Sequence, residues 1–145
     1  MSLFSTISVS ASGMSAQRER AQVLVENIAN ADTTRTAEGG PYRRRDVVFE
    51  SSPVDSPFSS FLDTQMDTQG DGVRVSDVTV DNTAPDRRYL PGHPDADKDG
   101  YVAFPRVNPA EDMVDLMGAA RAYEANVSAI SAVKDMIQRS IDLFR

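Results

Sequence analysis

The chain has 145 residues and a formal net charge of −7, with no cysteine and a single histidine. This composition excludes disulfides and thiolate metal sites, argues against a histidine-built metal or acid–base centre, and argues against a nucleic-acid partner. No run of eighteen or more apolar residues occurs, so no segment is expected to span a membrane. The charge is unevenly placed: residues 1–45 carry +2, residues 46–105 carry −8 and residues 106–145 carry −1. An acidic middle stays solvated, whereas near-neutral ends can crowd against copies of themselves. Met1 to Ser15 has no positive charge before its first apolar residues and no apolar block long enough for a cleaved secretory signal. Any passage out of the cytoplasm is therefore expected to use another route.

The first element is a helix within Met1–Ala31. Ile7, Ala11, Met14, Ala21, Leu24, Ile28 and Ala31 recur at helical spacing, with Arg18, Glu19, Arg20 and Glu26 off that stripe. Ser8, Ser10, Ser12 and Gly13 weaken its first turns, so the segment is expected to be marginal alone and to gain stability from packing. Asn27 to Thr34 closes it, because Asn tolerates helix-end conformations and Thr and Asp compete for helical hydrogen bonds. Thr33–Arg45 reads as a turn-rich connector, since Gly39-Gly40-Pro41 cannot be helical. The Arg43-Arg44-Arg45 run beside Tyr42 reads as a solvated or ion-paired face.

The middle, residues 35–107, is expected to be a small β-rich unit of three to five strands. Asp46–Phe49 is a short strand. Glu50–Asp71, rich in Ser, Asp, Gln and Pro with only Phe58, Phe61 and Leu62 as anchors, reads as a mobile loop. Gly72–Asp81 alternates, but the parity of Val73 and Val75 differs from that of Val78 and Val80. That shift predicts a bulge or bend at Ser76-Asp77. Arg87–Leu90 and Tyr101–Phe104 are further strands, with turns at Asn82–Pro85 and Pro91–Gly100.

Residues 108–145 form the strongest element. Asn108 suits the N-cap, Pro109 the first helical position and Glu111 the third residue of a capping box. Asp112 places negative charge at the positive end of the helix dipole, and Arg139 and Arg145 lie near the negative end. Steps of three and four then select Met113, Leu116, Ala120, Tyr123, Val127, Ile130, Lys134, Ile137, Ile141 and Phe144, all apolar except Lys134. This is a coiled-coil period held over four heptads. Such a helix measures about 54 Å at 1.5 Å per residue, too long for one small globule to cover. Its natural mate is residues 1–34. The expected fold class is mostly α with a small β-rich middle: long terminal helices paired as a coiled coil around a short β insertion. The expected seam sets Ile7, Met14, Leu24 and Ile28 against Met113, Leu116, Tyr123, Val127, Ile130, Ile137 and Ile141.

Asp95-Ala96-Asp97-Lys98-Asp99-Gly100 imitates the first half of a calcium-binding EF-hand loop. However, the twelfth position is Arg106 instead of a bidentate Glu, and Pro91, Gly92 and Pro94 forbid a preceding helix. A carboxylate-rich turn between strands is the expected reading, with Gly100 at positive φ. His93 has no placed nucleophile or acid–base partner. No enzyme activity and no cofactor are expected.

Ser12-Gly13-Met14-Ser15-Ala16-Gln17, followed by Asn27-Ile28-Ala29-Asn30, resembles the N-terminal signature of the bacterial flagellar rod and hook family. Thr34-Arg35-Thr36, Gly39-Gly40-Pro41-Tyr42-Arg43-Arg44, Pro91-Gly92-His93-Pro94-Asp95-Ala96-Asp97 and Asp99-Gly100-Tyr101-Val102 are similar to its proximal rod members. Arg121-Ala122-Tyr123-Glu124-Ala125-Asn126 resembles the C-terminal signature. The resemblance covers essentially the whole chain with its segments in family order, and Ser51–Gly70 shows no family pattern. It implies a structural subunit of the flagellar basal-body rod, self-assembling into a helical tube that crosses the periplasm, transmits torque and encloses the export channel. It also implies export by the flagellar type III system without a cleaved signal peptide. The implied partners are the chain itself, other rod proteins and export-gate or adaptor proteins. It singles out Asn27, Asn30 and Asn126 as family-motif residues, expected to bond backbone at helix ends or between copies. The competing reading is a helical-hairpin module docking one partner protein.

Overall fold

The computed structural model describes residues 3–53 and 71–143. Helix α1 spans Leu3–Ala29, strand β1 Arg45–Pro53, β2 Asp71–Val80, β3 Asp86–Tyr89, β4 Tyr101–Phe104 and helix α2 Pro109–Leu143. The two helices pack against each other, and α1 also lies against the β1–β2 ribbon.

The start of α2 forms as its local chemistry dictates. The Ala110 N–H donates to Asn108 Oδ1 at 3.2 Å, and the Asp112 N–H donates to the Asn108 carbonyl at 3.0 Å. Asn108 is thus the N-cap and Pro109 occupies the first turn, where a missing N–H costs nothing. Glu111 and Asp112 put negative charge in that turn. The helix then runs 35 residues without interruption. Phe144 and Arg145, part of the sequence reading of this helix, lie outside the described residues.

The helices run antiparallel. Gly13 faces Asn126, and Arg20 Nη2 lies 3.6 Å from Asp115 Oδ1. A Cβ on residue 13 would stand 3.2 Å from Asn126 Nδ2 and 3.3 Å from its Oδ1, so the absent side chain permits this close crossing.

The β middle is two separate antiparallel ribbons, β1–β2 and β3–β4, and not one sheet. In the first, Val48 pairs with Asp77 and Phe49 with Val75, leaving Ser76 as the extra residue. The expected bulge at Ser76-Asp77 is therefore present, and it reconciles the two parities of the valines. Glu50–Pro53 continue β1 and are not loop, because the ladder runs on from Phe49–Val75 to Pro53–Asp71. The rest of the expected loop, including Phe58, Phe61 and Leu62, lies outside the described residues.

The second ribbon is closed by the Pro91–Gly100 turn. Gly100 has φ +81°, and a Cβ there would come within 2.9 Å of Tyr89 Cε2 and 3.2 Å of Pro91 Cβ. Asp97 Oδ1 accepts the N–H groups of Asp99 (3.0 Å) and Tyr101 (2.9 Å), while its Oδ2 accepts Arg87 Nη2 at 2.7 Å. The acidic turn spends this carboxylate on its own backbone and on a strand arginine.

Candidate assembly surface

Helix α2 carries two apolar stripes side by side. One faces α1: Asp112, Ala119 and Val133 are buried, and Asp115, Leu116, Ala122, Asn126, Ala129, Ile130 and Ile137 are half-buried. The other stays open. Met113 is 58% exposed, Tyr123 40%, Val127 44% and Ile141 57%, joined by exposed Val114, Met117 and Met136 and by Leu143 at 86%. The seam expected from the heptads is divided by this arrangement. Leu116, Ile130 and Ile137 sit at the border with α1, whereas Met113, Tyr123, Val127 and Ile141 face away, as do Ala120 and Lys134.

The physical reason is side-chain size. Positions 112, 115, 119, 122, 126, 129 and 133 obey the same three–four spacing one residue out of phase. They carry three alanines and an asparagine, which let α1 approach closely where Ala16 and Gly13 are also small. A count of large apolar residues selects the outer stripe; a count of small ones would have found the inner stripe. On α1, Leu24 is buried and Ile7, Met14 and Ile28 are half-buried.

The motif residues are cross-element ties. Asn27 is fully buried. Its Nδ2 donates to the Arg45 carbonyl (2.8 Å), while its Oδ1 accepts the Arg45 N–H (3.0 Å) and the Tyr42 hydroxyl (2.9 Å). The amide thus pairs with the peptide at the start of β1 as a neighbouring strand would, locking the end of α1 to the sheet. Burial pushes the Tyr42 hydroxyl above its ordinary pKa, against the pull of Arg45. Asn30 Nδ2 donates to the Glu26 carbonyl (2.9 Å) and Asn30 Oδ1 accepts Thr33 Oγ1 (3.1 Å), finishing the helix. Asn126 Nδ2 donates to the Ala122 carbonyl at 2.9 Å, which folds its side chain over Gly13. Ser12 Oγ accepts the Val73 N–H at 3.0 Å, tying β2 to α1. Thr34 Oγ1 donates to Asp95 Oδ2 at 2.8 Å and Arg35 lies 3.8 Å from Asp95 Oδ1, joining the connector to the β3–β4 turn.

Sequence reasoning missed the pair Asp112–Arg44. Asp112 is fully buried, and Arg44 Nη2 approaches its Oδ1 at 3.0 Å while also reaching Asp46 Oδ1 at 3.5 Å. Neither Asp112 oxygen accepts an aligned hydrogen bond. Burial holds the Asp112 carboxyl above the ordinary carboxylate range despite the attraction of Arg44. The residue pattern marked Asp112 only as a dipole partner; that the connector would return Arg44 to the helix start had no local signal.

These interactions hold elements in place and put no nucleophile, base or cradle around a vacant point. Among the described residues no cluster of three or more acidic or histidine side chains is arranged to hold a metal, and no helix is long and apolar enough to cross a membrane. A hairpin of long helices around a lean β middle, with one helix face left apolar and open, defines a structural class that works by packing. Residues 7–35 match the profile described as "Flagella basal body rod protein", and residues 98–143 match "Flagellar basal body rod FlgEFG protein C-terminal". The flagellar basal-body rod protein FlgC of Borreliella burgdorferi is 41% identical over 152 residues, covering 100% of this chain and 99% of that one. The protein of the same name from Bacillus subtilis is 42% identical over 150 residues, covering 99% of each, and that from Aquifex aeolicus is 31% identical over 146 residues, covering 100% and 99%. The chain belongs to the FlgC family of flagellar basal-body rod proteins. It is a structural protein of the rod and not an enzyme.

Proposed function

We propose that the chain builds the rod by self-assembly, with the open stripe of α2 as its packing surface. In this reading copies stack into a helical tube that crosses the periplasm, transmits torque and encloses the export channel. The observation that carries it is the outer stripe of Met113, Tyr123, Val127 and Ile141, left exposed along a helix of 35 residues. An apolar face of that extent is unusual on a chain that works alone. A surface on one copy that fits a different surface on the next propagates into a helix when the rotation does not close.

The finer assignments follow from the same reading. Residues 1–34 and 108–145 are the two halves of a coiled coil in the assembled tube, and residues 35–107 are the outer β unit. Ile7, Met14, Leu24 and Ile28, with Met113, Leu116, Tyr123, Val127, Ile130, Ile137 and Ile141, are its assembly seams. Asn27, Asn30 and Asn126 hold the geometry that presents them. Other rod proteins and export-gate or adaptor proteins at the rod base are the neighbours, reached by type III export without a cleaved signal peptide. Sedimentation of the chain with neighbouring rod proteins at rising concentration tests the proposal. Open-ended growth is expected; a complex that stops at one-to-one would replace the tube with a single-partner docking module.

A further inference from the structure

Helix α2 outruns its partner. The pairs Gly13–Asn126 and Arg20–Asp115 fix the antiparallel register, which places Leu3, the first described residue of α1, level with about Asp135 at 1.5 Å rise per residue. Residues 138–143 continue beyond it and every one of them is exposed, with Ile141 and Leu143 among them. A helix end in water gains its stability from packing, and no described element of the same chain covers this one.

At the other end of α2, Met113, Val114 and Met117 form a second exposed apolar patch. Met113 and Ile141 are 28 residues apart, four whole heptads, so both lie on one stripe. Shifting a second α2 by that distance, parallel to the first, sets its Met113 beside Ile141 and its Glu111 beside Arg139. Glu111 and Arg139 are both exposed, and among the described residues neither makes an ion pair. The antiparallel alternative would instead bring Arg139 to Asp115, which Arg20 already engages.

Resting on the proposal that the chain self-assembles, we propose the contact that propagates it. The overhanging end of α2, Ile141 and Leu143 with Arg139, seats on the Met113–Met117 patch and Glu111 of the next copy, head to tail. The occupant is a second copy of this chain, and the contact is heterologous, so it does not close on itself.

The absence of cysteine makes the test clean. In the double variant Met113→Cys/Ile141→Cys, the two thiols of one chain lie about 42 Å apart along a straight helix, far beyond disulfide reach. Oxidation at the highest soluble concentration should give a ladder of dimers, trimers and larger species on a non-reducing gel, while each single variant stays monomeric. Adding Glu111→Arg should lower the ladder about fivefold, and adding Arg139→Glu as well should restore it. Doubly linked dimers that grow no further would mean an antiparallel contact and overturn the proposal. Monomers only, with wild-type helix content, would also overturn it, yet leave the tube itself open to assembly through other faces of α2. If the cysteine variant loses its fold, Ile141→Glu serves instead. It should keep the monomer's melting temperature and weaken self-association in sedimentation; unchanged self-association refutes the contact.

Discussion

Replacing Asn27 with Ala removes three hydrogen bonds at one fully buried point, to the Arg45 carbonyl, the Arg45 N–H and the Tyr42 hydroxyl. Each group left unpaired away from water costs about 1–3 kcal/mol. The Arg45 side chain is exposed, so water recovers part of that loss at its peptide, and the expected total is about 3 kcal/mol. For a chain of this size that lowers the melting temperature by about 10 °C. Tyr42→Phe removes only one of the three bonds and should cost about 1 kcal/mol. The double variant should cost less than the two single losses together, because they share a partner. Thermal melts followed by circular dichroism read all three. An Asn27→Ala chain within 0.5 kcal/mol of wild type would refute the idea that this amide joins α1 to β1.

Three further outcomes follow from the geometry. Burial raises the folded-state pKa of Asp112, so its contribution to stability is fully present below the ordinary value of 3.8 and is lost as pH rises through the raised value. Unfolding titrations of wild type and Asp112→Asn should therefore show wild type losing ground to the variant as pH rises through that window; a pH-independent gap contradicts the burial of the carboxylate. Gly118 has open space around it, so Gly118→Ala should stabilise the monomer by about 0.5–1 kcal/mol. Gly13→Ala should gain less in the same melt, since its new methyl presses on Asn126. Gly100→Ala combines a positive φ with a clash against Tyr89 and should lose at least about 1 kcal/mol in chemical denaturation.

Local chemistry made much of this fold legible. The cap at Asn108, the strands at 86–89 and 101–104 and the bulge at Ser76-Asp77 each follow from residues within a few positions of one another. What stayed hidden depends on which distant surfaces meet. Two stripes of equal period run along α2, and only the small residues of α1 decide which turns inward. The motif segments named the important residues without their roles: Ser12, Asn27 and Thr34 act on partners 18 to 61 residues away. The Arg44–Asp112 pair has the same long-range origin.

The central claim is that the outer stripe of α2 is the face by which this chain enters the rod, and Val127→Asp tests it most directly. Val127 is largely open in the single chain, so the variant should melt as wild type does and accumulate normally in cells. Inside an assembly the new carboxylate would be buried without a partner, at a cost of several kcal/mol. Immunoblots of purified basal bodies from cells carrying only the variant should lack the chain. Basal bodies holding it at wild-type amount would contradict the account.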